Sequence, residues 1–246
     1  GGTTRRPEVD TRPPPLKLAA ELERSINTDL IREIKQDDQH LFTCGITRSG
    51  KTGSAIAAVE QGWTGGAFFF NIQRVKYTPD WYTVHRHTPL DAIFRGLRAG
   101  VKMNYLPERS RARQARELEF ILTVAMDMHL TPPVLFIIDE AHFLNKYKDT
   151  LNVMEEVACA GISRGVRGLW ISQRPADLSK TIISQCGTHA IFRTQYEKEY
   201  FKRKGVDAEQ LEQLLDEKGK YSYVLFKGRG ALKACPAVKI RGAKKK

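Results

Sequence analysis

Residues 41–52 read Leu41-Phe42-Thr43-Cys44-Gly45-Ile46-Thr47-Arg48-Ser49-Gly50-Lys51-Thr52, a short apolar run that passes straight into the pattern GxxxxGK[ST]. The run predicts a buried strand, and Lys51–Gln61 predicts the helix that follows it. Each residue type in the loop has a physical use. The glycines at 45 and 50 let backbone N–H groups turn inward around an anion, and the helix points the positive end of its dipole at the same place. Lys51 is placed to reach the outer phosphates of a nucleotide, and Thr52 to offer a hydroxyl to Mg²⁺. Gly45, Thr47, Arg48, Ser49 and Gly50 complete the cradle. The strand before and the helix after separate this loop from a chance match in a structural turn.

The second deciding stretch is Val134-Leu135-Phe136-Ile137-Ile138-Asp139-Glu140. Five consecutive apolar residues predict a parallel strand covered on both faces. An acidic pair at its end, 88 positions after Lys51, matches the partner that such a loop requires. Asp139 is the expected Mg²⁺ holder, directly or through water, and Glu140 the group that polarises the attacking water. The plainer reading of Glu140 is a cap for the next helix. Ser172-Gln173-Arg174-Pro175 ends a further strand, predicted over Gly168–Ser172, and Gln173 is placed to orient water or report the γ-phosphate. Just before it, Ser163-Arg164-Gly165-Val166-Arg167-Gly168 carries two arginines, read as sheet-edge residues. One of them supplied to a neighbouring subunit would stabilise transition-state charge, and Arg164 is the preferred candidate; ordinary surface arginines are the alternative.

Elsewhere the pattern alternates strand and helix. Strands are expected at Ala67–Phe70, Val101–Leu106, His189–Thr194 and Tyr221–Phe226, the last pairing with Cys235–Ile240 across Gly228–Gly230. Helices are expected at Pro89–Leu97, Arg109–Leu130, Leu151–Ile162, Ala176–Cys186, Glu197–Arg203 and Asp207–Glu217, with one or two short ones within Leu16–Lys35. The result is an α/β fold with a mostly parallel central sheet flanked by helices. Its function should lie at the carboxyl ends of the strands. Residues 1–37 read as an N-terminal arm with short helices, 38–240 as one ATPase domain with extra C-terminal strands, and 241–246 as a basic tail.

Composition narrows the setting. The 246 residues are 41% hydrophobic and 28% charged, which supports a packed core. The formal charge is +12, an excess that favours a polyanionic partner, either nucleic acid or an anionic membrane surface. Arg109, Arg111, Arg113 and Arg116 open the long helix and are candidate DNA phosphate contacts; a solvated charged face is the competing reading. The four cysteines form no CxxC pair, which argues against a disulfide framework or zinc site and for a reducing compartment. No apolar run is long enough for a membrane span, and no signal peptide is visible. His142, Trp81, His85 and His87 carry no metal motif and are read as structural.

In this order, GITRSGKT (45–52), VLFIIDEAH (134–142), SRGVRGLWISQRP (163–175) and THAIFRT (188–194) resemble the HerA/FtsK superfamily of nucleic-acid-pumping P-loop ATPases. The resemblance covers about residues 38–195. It implies a RecA-like fold and ATP with Mg²⁺ as cofactors. It implies a ring homo-oligomer, a hexamer in that family's usual form, in which an arginine from the next subunit completes each site. By that similarity Lys51 and Thr52 bind phosphate and metal, Asp139 and Glu140 are the acidic pair, Gln173 is the sensor and Arg164 the arginine in trans. The chain has no room for the β-barrel of HerA or the linker and membrane segments of FtsK. Its compactness is similar to viral genome-packaging ATPases, which pump double-stranded DNA into a capsid. It is less similar to Zot-type phage assembly ATPases, which usually carry a membrane anchor. The implied partners are double-stranded DNA, further copies of the chain and a capsid vertex or portal protein. The implied place is the host cytoplasm or the virion.

Three rivals fit less well. Asp139-Glu140-Ala141-His142 spells the motif of DEAH-box helicases, but those need two RecA-like domains and a Ser-Ala-Thr element where this chain has SQRP. A GTPase needs NKxD, and Asn145-Lys146-Tyr147-Lys148 lacks the aspartate. A small-molecule kinase has no need of Glu140 or of basic arms. From a different class, a nucleotide-gated scaffold that binds DNA or capsid without sustained turnover would need no water-activating acid.

Overall fold

The computed structural model describes residues 29–36, 38–78, 80–194, 198–203, 205–227 and 232–239. Residues 1–28 of the N-terminal arm, the basic tail and the turn at 228–230 lie outside these residues.

Nine strands form one sheet: β1 (His40–Cys44), β2 (Ala67–Phe70), β3 (Tyr82–Val84), β4 (Lys102–Tyr105), β5 (Val134–Ile138), β6 (Val166–Ser172), β7 (Cys186–Ile191), β8 (Tyr223–Phe226) and β9 (Leu232–Cys235). Their order is β3-β4-β2-β5-β6-β1-β7-β8-β9. Neighbours from β3 to β7 run parallel, and β8 and β9 add an antiparallel edge. The helices are α1 (Leu30–Lys35), α2 (Lys51–Gly62), α3 (Leu90–Arg98), α4 (Arg111–Met128), α5 (Lys148–Ala160), α6 (Lys180–Ser184), α7 (Lys198–Arg203) and α8 (Ala208–Lys218).

Alternation along the strands divides the core between the two faces of the sheet. Phe68, Phe70, Phe136 and Ile138 face one way, into a cluster with Leu118, Leu122 and Met154 of α4 and α5. Phe69, Leu135, Ile137 and Leu41 face the other, against Leu30, Ile34 and Val59 of α1 and α2. Burial on both faces is the physical reason these strands read as continuous apolar runs.

Most expected elements are present, with three informative shifts. β7 starts at Cys186, three residues before the expected strand, because Leu41 and Phe42 of β1 pair with Thr188 and His189. The helix expected over Ala176–Cys186 is a 3₁₀ turn at Pro175–Asp177 and a short α6, capped by Ser179 whose side chain accepts from the Thr181 N–H. β9 lies at Leu232–Cys235, earlier than the expected Cys235–Ile240, where it pairs with β8. The edge strand β3 escaped the sequence reading because only three residues pair, two of them exposed.

Candidate nucleotide site

Register brings the expected site together. Cys44 of β1 lies beside Ser172 of β6, and Ile138 of β5 beside Trp170 of β6. Gly45, Asp139 and Gln173 therefore leave the sheet at one edge, between its central strands. The loop from Gly45 is tied down by its own backbone: the Gly45 N–H donates to Ser172 O (3.3 Å), the Ile46 N–H to Arg193 O (2.8 Å) and the Ser49 N–H to Ile46 O (3.2 Å). Two glycines are sterically required. A Cβ on Gly45 would lie 2.7 Å from Phe192 Cβ, and one on Gly50, whose φ is +91°, would lie 2.9 Å from the Tyr221 ring.

Four charged or polar groups converge under the loop, all buried. Lys51 Nζ is 3.3 Å from Glu140 Oε1. The Thr52 hydroxyl donates to Asp139 Oδ1 (3.2 Å), which also accepts the Glu140 N–H (3.1 Å). The other carboxylate oxygen of Glu140 accepts the Gln173 N–H (3.3 Å) and lies 3.4 Å from His142 Nδ1. Glu140 itself has φ 47° and ψ 44°, a left-handed conformation that turns its side chain back over Lys51. The expectation that it merely caps a helix does not hold: its side chain caps nothing, and a 3₁₀ turn rather than an α-helix follows. Thr47 Oγ1 donates to Gln173 Oε1 at 2.6 Å, joining the loop to the end of β6.

Burial raises the Asp139 carboxyl to about 7, reinforced by the Glu140 charge and opposed by Lys51. Burial also lowers His142, against the pull of Glu140. Ser172 Oγ accepts the Arg174 N–H (3.0 Å) and shares a hydrogen bond with His142 Nδ1 (3.0 Å) whose direction is set by the imidazole tautomer. Ser49 Oγ and His142 Nε2 are buried without a hydrogen-bond partner among the described residues. A site with orphaned polar atoms, a glycine cradle and a buried lysine fits a phosphate chain. A threonine hydroxyl beside a carboxylate, both hard oxygen donors, fits Mg²⁺.

Other candidates fall elsewhere. Arg167 was read as a sheet-edge arginine. It is instead fully buried, donating from Nη2 to Glu33 O (2.8 Å), from Nη1 to Ile34 O (2.5 Å) and from Nε to Gln39 O (2.5 Å). It ties α1 to the sheet and is excluded as a trans arginine. Arg164 precedes β6, at the sheet edge opposite the phosphate loop, 3.6 Å from Glu156 Oε1. The chain does not bring it to its own site. Arg109, Arg113 and Arg116 are exposed at the start of α4, which follows the carboxyl end of β4. Arg111 is different: its guanidinium lies 4.2 Å from the ring centroid of Phe143.

His142, read as structural, belongs to the site; Asp-Glu-x-His at the end of a buried strand was the available signal. Tyr77 and Tyr221 border the loop and had no signal at all. Trp81 is buried, its indole N–H donating to Glu60, whereas His85 and His87 are exposed.

No protein-family model matches the sequence, and no curated protein matches it. Solved structures do. The genome packaging NTPase B204 from Sulfolobus turreted icosahedral virus 2, in complex with AMPPCP, superposes with a TM-score of 0.59 at 18% identity, over 83% of this chain and 100% of that one. The DNA-packaging ATPase B204 from Sulfolobus turreted icosahedral virus gives 0.59 at 16%, over 81% and 98%. ATPases 2 and 3 of EssC from Geobacillus thermodenitrificans give 0.52 at 10%, over 85% of this chain but only 41% of that one. The chain thus has the fold of the P-loop ATPases, and the B204 structures match 81–83% of it.

Proposed function

We propose that the chain is an ATPase whose hydrolysis drives double-stranded DNA into a viral capsid. The observation that carries the enzymatic part is the buried Lys51–Glu140 pair beside Thr52 and Asp139, at the carboxyl ends of β1, β5 and β6. Without nucleotide, Glu140 is held by Lys51 and the Gln173 N–H. An arriving phosphate chain competes for Lys51, which releases Glu140 to accept a proton from the attacking water. Thr52 and Asp139 would hold Mg²⁺, which when bound neutralises phosphate charge. Gln173, bonded to Thr47 across the cleft, passes loss of the γ-phosphate from the loop to the β6 end.

The coupling to DNA rests on the +12 charge, on the exposed Arg109, Arg113 and Arg116 at the nucleotide edge, and on the shared fold with packaging ATPases. Such contacts neutralise phosphates without reading sequence. In this reading subunits form a ring, a hexamer by the family resemblance, and Arg164 completes the neighbour's site; a capsid vertex or portal receives the DNA, in the host cytoplasm or the virion. Among the described residues, no helix is long and apolar enough to cross a membrane.

The test is steady-state ATP hydrolysis by the wild type and Glu140→Gln, with and without long double-stranded DNA, at low and near-physiological salt. DNA stimulation present in the wild type and absent in the variant is expected. Glu140-dependent hydrolysis that is indifferent to DNA removes the DNA-coupled motor and leaves an assembly ATPase of the Zot type or a nucleotide-gated scaffold.

A further inference from the structure

The phosphate cleft continues into a second cleft of about 340 Å³. The two share Arg48, Gly50, Gly53 and Tyr77 as common walls. The second cleft lies past Thr52, along Gly53 and Ser54 in the first turn of α2, and is closed by Tyr221 and by Ala237 and Val238. Its volume falls within the roughly 300–1,000 Å³ of ligand pockets.

Its aromatic walls stand out. Four large apolar or aromatic side chains are exposed among the described residues, and two of them, Tyr77 (48%) and Tyr221 (45%), face this one cleft. They come from opposite parts of the chain, the β2–β3 connection and the turn before β8. Each packs where a glycine of the loop helix has no side chain: Tyr221 over Gly50, and the Tyr77 ring 3.6 Å from where a Gly53 Cβ would stand. Tyr221 is held at φ +65°, a strained conformation for a bulky residue, of the kind found at ligand clamps. Lys220 Nζ lies over its ring, 4.8 Å from the centroid.

We infer that Tyr77 and Tyr221 form the base-binding site, stacking the base of a nucleoside triphosphate whose phosphates occupy the Lys51 loop. This rests on the proposed phosphate site. The direction follows from chemistry: the outer phosphates end at Lys51, Asp139 and Glu140, so the nucleoside leaves on the Thr52–Ser54 side. A third cleft, lined by Arg193, Leu215, Lys220 and the same Tyr221, meets the phosphate cleft only at Thr47 and Arg48 and touches neither Lys51, Thr52 nor Tyr77.

The experiment is calorimetric titration of the full chain, with Mg²⁺, using ATP and inorganic tripolyphosphate as two separate probes. Tyr77→Ala and Tyr221→Ala are each expected to weaken ATP about tenfold, the scale of one base–aromatic stack, while tripolyphosphate stays within about twofold. Tyr77→Phe and Tyr221→Phe keep wild-type affinity for both. ATP affinity unchanged in either alanine variant overturns the two-walled site. Equal weakening of both probes also overturns it, because the rings would then shape the loop and not the base site. Lys51→Ala tests the underlying reading separately: if it binds tripolyphosphate as the wild type does, the phosphate site fails, whatever the tyrosine variants show.

Discussion

The two ends of β6 carry charge in opposite ways. At its start, Arg167 is fully buried and spends its donors on three main-chain carbonyls of residues 33, 34 and 39. At its finish, Lys51, Asp139, Glu140 and His142 are also buried, but Lys51 faces a carboxylate it can leave, and Ser49 Oγ and His142 Nε2 have no partner among the described residues. A buried charge with saturated hydrogen bonds is structural. A buried cluster with unsatisfied atoms holds free energy that a ligand can recover. One strand thus anchors the fold at one end and presents the chemistry at the other.

If that contrast is right, variants at the two ends should separate stability from turnover. The largest expected effect is Lys51→Ala, which should cut ATP hydrolysis at least about a hundredfold in a steady-state assay, because a preorganised donor to the reacting phosphates is gone. Stability should fall as well, because Glu140 loses its buried cation, so turnover is read per folded molecule below the transition. Arg167→Met should spare turnover. Three buried carbonyls lose their donors, so stability should drop by about 3–5 kcal/mol, seen as a lower denaturant midpoint, with hydrolysis per folded molecule unchanged well below the transition. Loss of turnover in folded Arg167→Met would break the comparison.

Asp139→Asn sharpens it through pH. The folded state raises the Asp139 carboxyl to about 7 from 3.8, so the folded form binds this proton more tightly than the unfolded chain does. The resulting stabilisation is complete in acid and is lost as pH rises through about 7. Asparagine accepts the same two hydrogen bonds without the buried charge. Measured without nucleotide or metal, its melting temperature should exceed the wild type's above pH 7, by roughly 2–8 °C, and the gap should close towards pH 4. The smallest effect is Arg111→Ala, which removes a half-buried contact with Phe143 worth about 0.5–1 kcal/mol. It should barely move the melting temperature, whereas Arg113→Ala with Arg116→Ala should flatten the salt dependence of DNA binding.

What was readable in advance was local. The loop, the acidic pair and the parallel core were legible because the chemistry of 45–52 and the apolar run of 134–138 lie within single short segments, and burial on both faces leaves its mark on every residue of a strand. Gln173 was legible as a polar end to such a strand. Arg164 and Arg167 were not separable, since the two residues of sequence between them do not say which one turns inward under α1. His142 looked structural because its partners, Glu140 and Ser172, meet only once β5 and β6 are in register. Tyr77 and Tyr221, 144 positions apart, share a cleft only because β8 and β9 fold back beside β7. The sequence alone determined a P-loop, its acidic partner and the α/β sheet that carries them, since each depends on neighbours in the chain. Only the tertiary structure decided which buried charge anchors the fold, which waits for a ligand and which aromatic rings stand beside the loop, because those roles depend on register and closure between distant segments.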